Sequence, residues 1–92
     1  MSLRILFFTQ PGCLSCELMR VFLEAHEVSF EEHDITADED SRRAMMEKYD
    51  SDETPTLVVF SDVTDEVVIG FDLERLDHLL RTAPSSDSVS ET

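Results

Sequence analysis

The octapeptide TQPGCLSC, residues 9–16, places the two cysteines of a 92-residue chain three positions apart. It begins at the end of an apolar run, ILFF at residues 5–8, and a Pro-Gly pair separates that run from the cysteines. Apolar residues then recur at helical spacing from Leu14 onward. The stretch therefore predicts a strand that passes directly into a helix, with Cys13 at or next to the N-cap and Cys16 one turn further in.

The first half of the chain predicts alternating strands and helices. RILFFT, residues 4–9, is rich in strand formers and predicts a buried strand. The helix that follows is predicted to have an apolar face of four residues, namely Leu18, Val21, Phe22 and Ala25. Residues 28–34, VSFEEHD, predict a short edge strand in which Val28 and Phe30 point inward. Residues 36–50 predict a second helix with a modest apolar stripe, namely Ala44, Met45 and Tyr49.

The second half predicts a β-hairpin and a closing helix. Pro55 opens the apolar run TLVVF, residues 56–60, which predicts a central strand. SDVTD turns the chain, and EVVI at residues 66–69 returns as the hairpin partner. Asp72 is a suitable N-cap for a third helix, whose apolar residues are Leu73, Leu76 and Leu80.

These elements predict one α/β domain with the order βαβαββα. A helical crossover joins the first two strands, so these strands are expected to be parallel and the crossover right-handed. The expected architecture is a four-stranded mixed sheet flanked by three helices. We assign this domain to residues 1–81 and rest no inference on Met1–Leu3. Residues 82–92 are polar, lack periodicity and predict a disordered tail.

The composition excludes several classes of function. With 21 acidic and seven basic residues, the net charge is −14 at pH 7, and nucleic-acid binding needs a basic face that such a chain cannot assemble. Apolar runs are far shorter than the roughly 20 residues of a membrane span, and no signal-peptide core is visible. We expect a cytoplasmic monomer whose thiols are kept reduced. The acidic surface fits either adaptation to high salt or ordinary solubility.

Cys13 is the predicted nucleophile and Cys16 the predicted resolving thiol. The free N–H groups and the positive dipole at the helix start lower the pKa of the Cys13 thiol, which leaves more of it as thiolate. Cys13 would attack a substrate disulfide to form a mixed disulfide, and Cys16 would then attack Cys13 and release the substrate thiol. The sequence contains no flavin or nicotinamide motif, so no bound cofactor is predicted and electrons must come from a partner or a small thiol.

Other interpretations of the two cysteines remain open at this point. A structural zinc site needs four ligands, and the histidines that would complete it are far apart in sequence: His26, His33 and His78. No metal site is therefore predicted. Two unrelated buried cysteines would place no constraint on function. The same fold would also serve as a non-catalytic peptide-binding module, or as a protein that handles a metal or an iron–sulfur cluster through Cys13.

Three segments together resemble the thioredoxin superfamily, and within it they are similar to the glutaredoxin-like redoxins. FFTQPGCLSC, residues 7–16, is similar to the strand, proline and CxxC opening of that family. ETPTLVVF, residues 53–60, is similar to its cis-proline loop, and IGFDLERLDHLL, residues 69–80, to its Gly-Phe-Asp turn and final helix. The resemblance covers residues 4–81 and implies a thioredoxin-like fold and thiol–disulfide exchange.

The resemblance also implies which residues bind the substrate, and Gln10 and Leu14, on either side of Cys13 in the sequence, are expected to be two of them. Pro55 is expected to follow a cis peptide bond and to pack beside the cysteines, with the Thr54 backbone pairing with an extended peptide or glutathione. Gly70, Phe71 and Asp72 are expected to approach the site and to receive a polar end of the substrate. Phe71 fits a core position equally well.

Three positions of the CxxC segment depart from the usual glutaredoxin pattern. Leu14 and Ser15 stand where glutaredoxins usually carry Pro-Tyr, so the reduction potential is left open. Gln10 stands where many carry a lysine that meets the glutathione carboxylate, which disfavours tight glutathione binding by so acidic a chain. The resemblance therefore favours an NrdH-type redoxin that acts on disulfide-bearing proteins and is reduced by a thioredoxin reductase, with glutathione as the alternative electron donor.

Overall fold

The computed structural model describes residues 4–61 and 65–81, so the expectations for residues 1–3, for most of the hairpin turn and for the tail at 82–92 lie outside the described residues. Within the described ranges the elements follow the predicted order. They are β1 (Arg4–Thr9), α1 (Leu14–Ala25), β2 (Glu31–Asp34), α2 (Glu39–Arg43) with a π-helical turn (Ala44–Lys48), β3 (Thr56–Phe60), β4 (Asp65–Ile69) and α3 (Leu73–Arg81).

The four strands form one mixed sheet in the order β2-β1-β3-β4. β1 pairs in parallel with β2 and antiparallel with β3, so that Phe7 lies opposite both Glu32 and Leu57. β3 and β4 pair antiparallel as the two strands of a hairpin. The predicted parallel crossover, the central position of β3 and the edge position of β2 are all confirmed.

Alternation along β1 divides the interior between the two faces of the sheet. Ile5 and Phe7 point to a larger cluster whose other buried members come from α1, β3, β4 and α3: Cys16, Met19, Leu23, Leu57, Val59, Val68 and Leu76. Leu6 and Phe8 point to a smaller cluster with Val58 and Met45, the latter from the π-helical turn. The helix that carries the cysteines is therefore packed on the larger core, together with α3.

The prediction of which α1 residues face the sheet is wrong. The residues buried against the sheet are Cys16, Met19 and Leu23, and of the predicted face only Phe22 is even half-buried. Helical periodicity offers two apolar stripes about half a turn apart on this helix. The stripe that carries Met19 and Leu23 is the one that joins the larger core, where both residues are fully buried.

Two smaller expectations also need correction. β2 begins at Glu31 rather than at Val28, although Val28 and Phe30 still pack against the larger core from outside the strand. In α3, Leu73 is exposed whereas Leu76 is fully buried. The half-buried leucines of this helix are Leu79 and Leu80, which flank Leu76 around the helix axis. Leu73 therefore lies at the margin of the apolar stripe.

Candidate active site

Cys13 is the N-cap residue of α1, as predicted. Its backbone is extended (φ −91°, ψ 103°), and its Sγ accepts a hydrogen bond from the backbone N–H of Cys16 at 3.1 Å. Its carbonyl oxygen accepts from the N–H groups of Cys16 and Glu17 at 3.1 and 3.2 Å. The sulfur therefore lies against the free N–H groups of the first helical turn, where negative charge is stabilised.

The two cysteines form a disulfide, with their Cα atoms 5.2 Å apart, but they differ sharply in exposure. Cys16 is 1% exposed and belongs to the larger core, whereas Cys13 is only half-buried. A hollow of about 260 Å³ opens beside Cys13 and is lined by Gly12, Leu14 and Glu17. An incoming molecule can therefore reach the Cys13 sulfur and not that of Cys16.

The loop before β3, which is distant from Cys13 in sequence, contacts the Cys13 sulfur. The Thr54–Pro55 peptide bond is cis, as the resemblance implied, and Pro55 is buried. The Thr54 hydroxyl donates to Cys13 Sγ at 3.6 Å, a separation normal for a bond to sulfur, and accepts from Gln10 Nε2 at 2.8 Å. Gln10, Thr54 and Cys13 thus form a hydrogen-bonded series that ends at the Cys13 sulfur.

The three residues after β4 that were predicted to bind the substrate make contacts with different parts of the fold. The Gly70 N–H donates to the Pro55 carbonyl at 2.8 Å, so Gly70 adjoins the cis-proline loop. Phe71 is half-buried on the larger core, with its ring 6.5 Å from that of Phe22 in an edge-on contact. Asp72 Oδ1 accepts from the Arg75 N–H at 3.1 Å, which makes Asp72 the predicted cap of α3. Gly70 therefore adjoins the site, whereas the contacts of Phe71 are with the larger core and those of Asp72 are with the start of α3.

A charged group behind the cysteines was missed by the sequence reasoning. Arg20 forms ion pairs with Glu32 on β2 and, at 2.6 Å, with Glu17 one turn before it. Thr9 at the end of β1 donates its hydroxyl to Glu32 at 3.0 Å. The Arg20 guanidinium also lies 5.9 Å from the centre of the Phe7 ring. Helical spacing places Arg20 on the polar face of α1, but only the strand register shows that Glu32 lies opposite.

These contacts change the acidity of both partners. The hydrogen bond from Arg20 lowers the pKa of Glu32 from its ordinary value of 4.5, and partial burial opposes this effect without reversing it. The carboxylates of Glu32 and Glu17 in turn raise the pKa of Arg20 above its usual value. The pair is therefore fully charged at neutral pH and joins α1 to the edge strand behind the site.

Two other classes of site are absent from the part of the chain that can be described. Across residues 4–61 and 65–81, no three His, Cys, Asp or Glu side chains are arranged to hold a metal ion. His26 instead bonds the Phe22 carbonyl at 3.0 Å, and His33 lies on the other face of the sheet near Ser41. In the same ranges, no helix is both long and apolar enough to cross a bilayer.

The profile of the glutaredoxin family matches residues 5–63, from β1 past the cis-proline loop and through β3. The chain belongs to the glutaredoxin family. With a CxxC pair at the start of α1, this glutaredoxin is a thiol–disulfide oxidoreductase with a thioredoxin-like fold. No curated protein sequence matches it.

Solved structures place this glutaredoxin within the wider superfamily. A mutant of the thioredoxin-like protein BC3987 is 39% identical and superposes with a TM-score of 0.76, over 84% of this chain and 94% of that one. NrdH-redoxin from Escherichia coli, described as a glutaredoxin-like protein with a thioredoxin-like activity profile, is 18% identical with a TM-score of 0.70, over 83% and 93%. Thioredoxin from Fasciola hepatica is 22% identical with a TM-score of 0.68, over 89% and 81%. The similarity to NrdH-redoxin and to the Fasciola thioredoxin is a similarity of fold.

Proposed function

We propose that this glutaredoxin reduces disulfides in protein substrates, with Cys13 as the nucleophile and Cys16 as the resolving thiol. The observation that carries the assignment is the difference in exposure between the two sulfurs. A substrate disulfide reaches Cys13 first, and the Cys13 thiolate attacks one substrate sulfur and expels the other as a thiolate. Cys16 then attacks Cys13, the mixed disulfide breaks, and the second substrate thiol leaves. Two electrons pass to the substrate for each internal disulfide formed.

Stabilisation of the Cys13 thiolate supports these roles. The Cys16 N–H and the Thr54 hydroxyl both donate to Cys13 Sγ in the disulfide form, and after reduction they would donate to the thiolate, in addition to the helix N-terminus. Cys16 itself lies in the core, where an incoming substrate does not reach it. The arrangement favours attack by one cysteine and release by the other.

The substrate is proposed to lie between the CxxC turn and the cis-proline loop. Leu14 lines the hollow beside Cys13, and the Thr54 hydroxyl of the cis-proline loop contacts the Cys13 sulfur. The Thr54 backbone would pair with an extended segment of the substrate, and Gly70 adjoins the same loop. Phe71 and Asp72 follow Gly70 and would contact the far end of that segment.

A thioredoxin reductase in the cytoplasm is the proposed electron donor, in preference to glutathione. Glutathione carries a net negative charge, and Gln10 offers its carboxylate no cation. The Gln10 amide is already engaged by Thr54, and a chain of charge −14 repels anions in general. Oxidised protein offered glutathione with glutathione reductase, or NADPH with thioredoxin reductase, should regain free thiols faster with the second pair. Faster recovery with glutathione would overturn this choice of donor.

The roles of the cysteines are tested by separate substitutions. Cys13→Ser should abolish reduction of insulin, because no exposed thiolate remains to attack. Cys16→Ser should instead accumulate a mixed disulfide with substrate, which is visible by mass spectrometry under non-reducing conditions. Equal and mild effects of the two substitutions would contradict the assignment, as would trapping by Cys13→Ser instead.

A further inference from the structure

The outer surface of α1 is apolar as well as its inner one. Four residues point away from the core at i, i+4, i+7 and i+11, and we name them the outer stripe: Leu14, Leu18, Val21 and Ala25. The first three are 73%, 48% and 63% exposed. The stripe runs for about 16 Å along the helix, since each residue adds about 1.5 Å. It lies about half a turn from the face that packs on the sheet.

Such a surface is unusual for a helix of a small soluble domain, whose outer face is normally polar. Isolated exposed apolar residues are common and need no explanation, and Met46 on the π-helical turn is one of them. The outer stripe differs because its members are contiguous. It also begins beside the reactive sulfur, since Leu14 follows Cys13 and lines the hollow next to it.

We propose that the outer stripe is the docking surface for the protein that carries the substrate disulfide, an inference that rests on the oxidoreductase function proposed above. A substrate protein whose disulfide meets Cys13 can extend its contact along Leu14, Leu18 and Val21 without a change of direction. A small disulfide or thiol reaches Cys13 but not Val21, two turns further along. The stripe therefore distinguishes protein substrates from small ones.

Charge determines which protein fits. Glu17 and Glu24 border one side of the stripe by helical position, and within the described ranges no cation is paired with Glu24. A second copy of the chain would bring another net charge of −14 to this surface. Residues 82–92 contain Asp87 and Glu91 but no lysine or arginine, so they share the charge of the border. The occupant that fits is a substrate protein with an apolar patch bordered by basic residues.

The experiment uses synthetic peptides as the substrate. Each peptide carries one cysteine joined to 2-nitro-5-thiobenzoate, which leaves as a coloured thiolate when Cys13 attacks the peptide sulfur; Cys16 then releases the peptide thiol. One peptide places leucines and arginines beside the cysteine, a second exchanges the arginines for glutamates, and a third exchanges the leucines for serines. The full-length reduced protein is compared with Leu18→Ser/Val21→Ser and with the control Met46→Ser, which removes a similarly exposed apolar side chain on the other face.

Leu18→Ser/Val21→Ser should lower the second-order rate constant for the leucine–arginine peptide by about tenfold, the usual scale for losing two interface contacts. Its reaction with 2-hydroxyethyl disulfide should stay at the wild-type rate, and Met46→Ser should match wild type with both. Wild type should also react faster with the leucine–arginine peptide than with the other two.

Three results would overturn the proposal while leaving the oxidoreductase function intact. The first is an undiminished rate for Leu18→Ser/Val21→Ser with the leucine–arginine peptide. The second is a dimer in sedimentation of the wild type that this variant abolishes, which would assign the stripe to a second copy. The third is a rate that rises on removal of residues 82–92 in wild type but not in the variant, which would assign it to the tail. Failure of wild type to reduce even 2-hydroxyethyl disulfide would instead refute the proposed function.

Discussion

The hydrogen bonds around the Cys13 sulfur account for most of the reactivity that we expect of this site in thiol–disulfide exchange. Cys13 Sγ receives a backbone N–H from Cys16 and a hydroxyl from Thr54, and Gln10 holds that hydroxyl in turn. Gln10 was predicted to contact the substrate, and in the structure its amide donates to the Thr54 hydroxyl beside Cys13. Because an amide N–H donates to the threonine oxygen, the hydroxyl hydrogen is left free to point at the sulfur. Gln10 thus acts on the site through Thr54.

Thr54→Val should make Cys13 less reactive in acid. The substitution keeps the shape of the side chain and removes the donor, so the thiolate loses one hydrogen bond. The pH midpoint for alkylation of reduced Cys13 by iodoacetamide should rise, and the rate at pH 6 should fall several-fold, on the order expected for one hydrogen bond to a charged group. Gln10→Leu should shift the midpoint in the same direction by less.

Thr36→Val provides the matched control for this measurement. The Thr36 hydroxyl donates to Asp34 at 2.6 Å and makes no contact with the cysteines. Its loss should leave the alkylation midpoint unchanged. If Thr54→Val and Thr36→Val behave alike, the Thr54 hydroxyl does not stabilise the thiolate.

Helix α1 shows how far sequence patterns reach at the scale of the element. Its position, its N-cap and its junction with β1 follow from the Pro-Gly break and from apolar spacing, and all were predicted. The face turned to the sheet was not, because Leu18 and Val21 repeat with the same period as Met19 and Leu23. Periodicity identifies a stripe but not its direction, which is decided by the packing of the whole sheet.

The same limit applies to interactions between elements. The Arg20–Glu32 pair joins α1 to β2, and it depends on a register that places Glu32 opposite Phe7. Chain order predicts that β1 and β2 are parallel but does not fix which residues face one another. The contact of Gln10 with Thr54, 44 residues apart, was unpredictable for the same reason.

The Arg20–Glu32 pair should stabilise the fold measurably. Arg20→Gln and Glu32→Gln, singly and together, form a double-mutant cycle, and urea unfolding at pH 7 should give a coupling of about 1 kcal/mol, since the side chains are only partly exposed. Arg42→Gln and Glu39→Gln make the matched control cycle. That pair lies 3.8 Å apart with both side chains more than half exposed, so its coupling should be near zero.

The coupling should also depend on pH with a defined sign. Arg20 lowers the pKa of Glu32 below 4.5 in the folded chain, so in acid the unfolded chain binds the proton more readily. The contribution of the pair is therefore complete above the unfolded pKa and is lost as pH falls through the folded pKa. Repeating the cycle at decreasing pH checks this. A coupling that is unchanged at pH 2, or additive free energies at pH 7, would contradict the role given to the pair.

At the scale of the whole molecule, net charge opposes the compact state. The chain carries 21 acidic and seven basic residues, and 18 of the acidic ones lie within residues 4–61 and 65–81. At low ionic strength, about 0.01 M, the Debye length is about 30 Å, so nearly all the charges interact. At 0.1 M it is about 10 Å, shorter than the distance across the fold, and near 1 M it is about 3 Å. Self-repulsion should therefore weaken as salt is added.

Potassium chloride should accordingly raise the midpoint of thermal unfolding, and the shape of the rise separates two explanations of the acidic surface. If the surface serves only solubility, most of the rise should occur below about 0.3 M, where screening already acts between neighbouring charges. If the surface is adapted to high salt, the midpoint should continue to climb towards molar concentrations. Differential scanning calorimetry across this range, with sucrose as a control that does not screen charge, makes the measurement. A midpoint indifferent to salt throughout would show that local ion pairs such as Arg20–Glu32, and not net repulsion, dominate the electrostatic free energy of the fold.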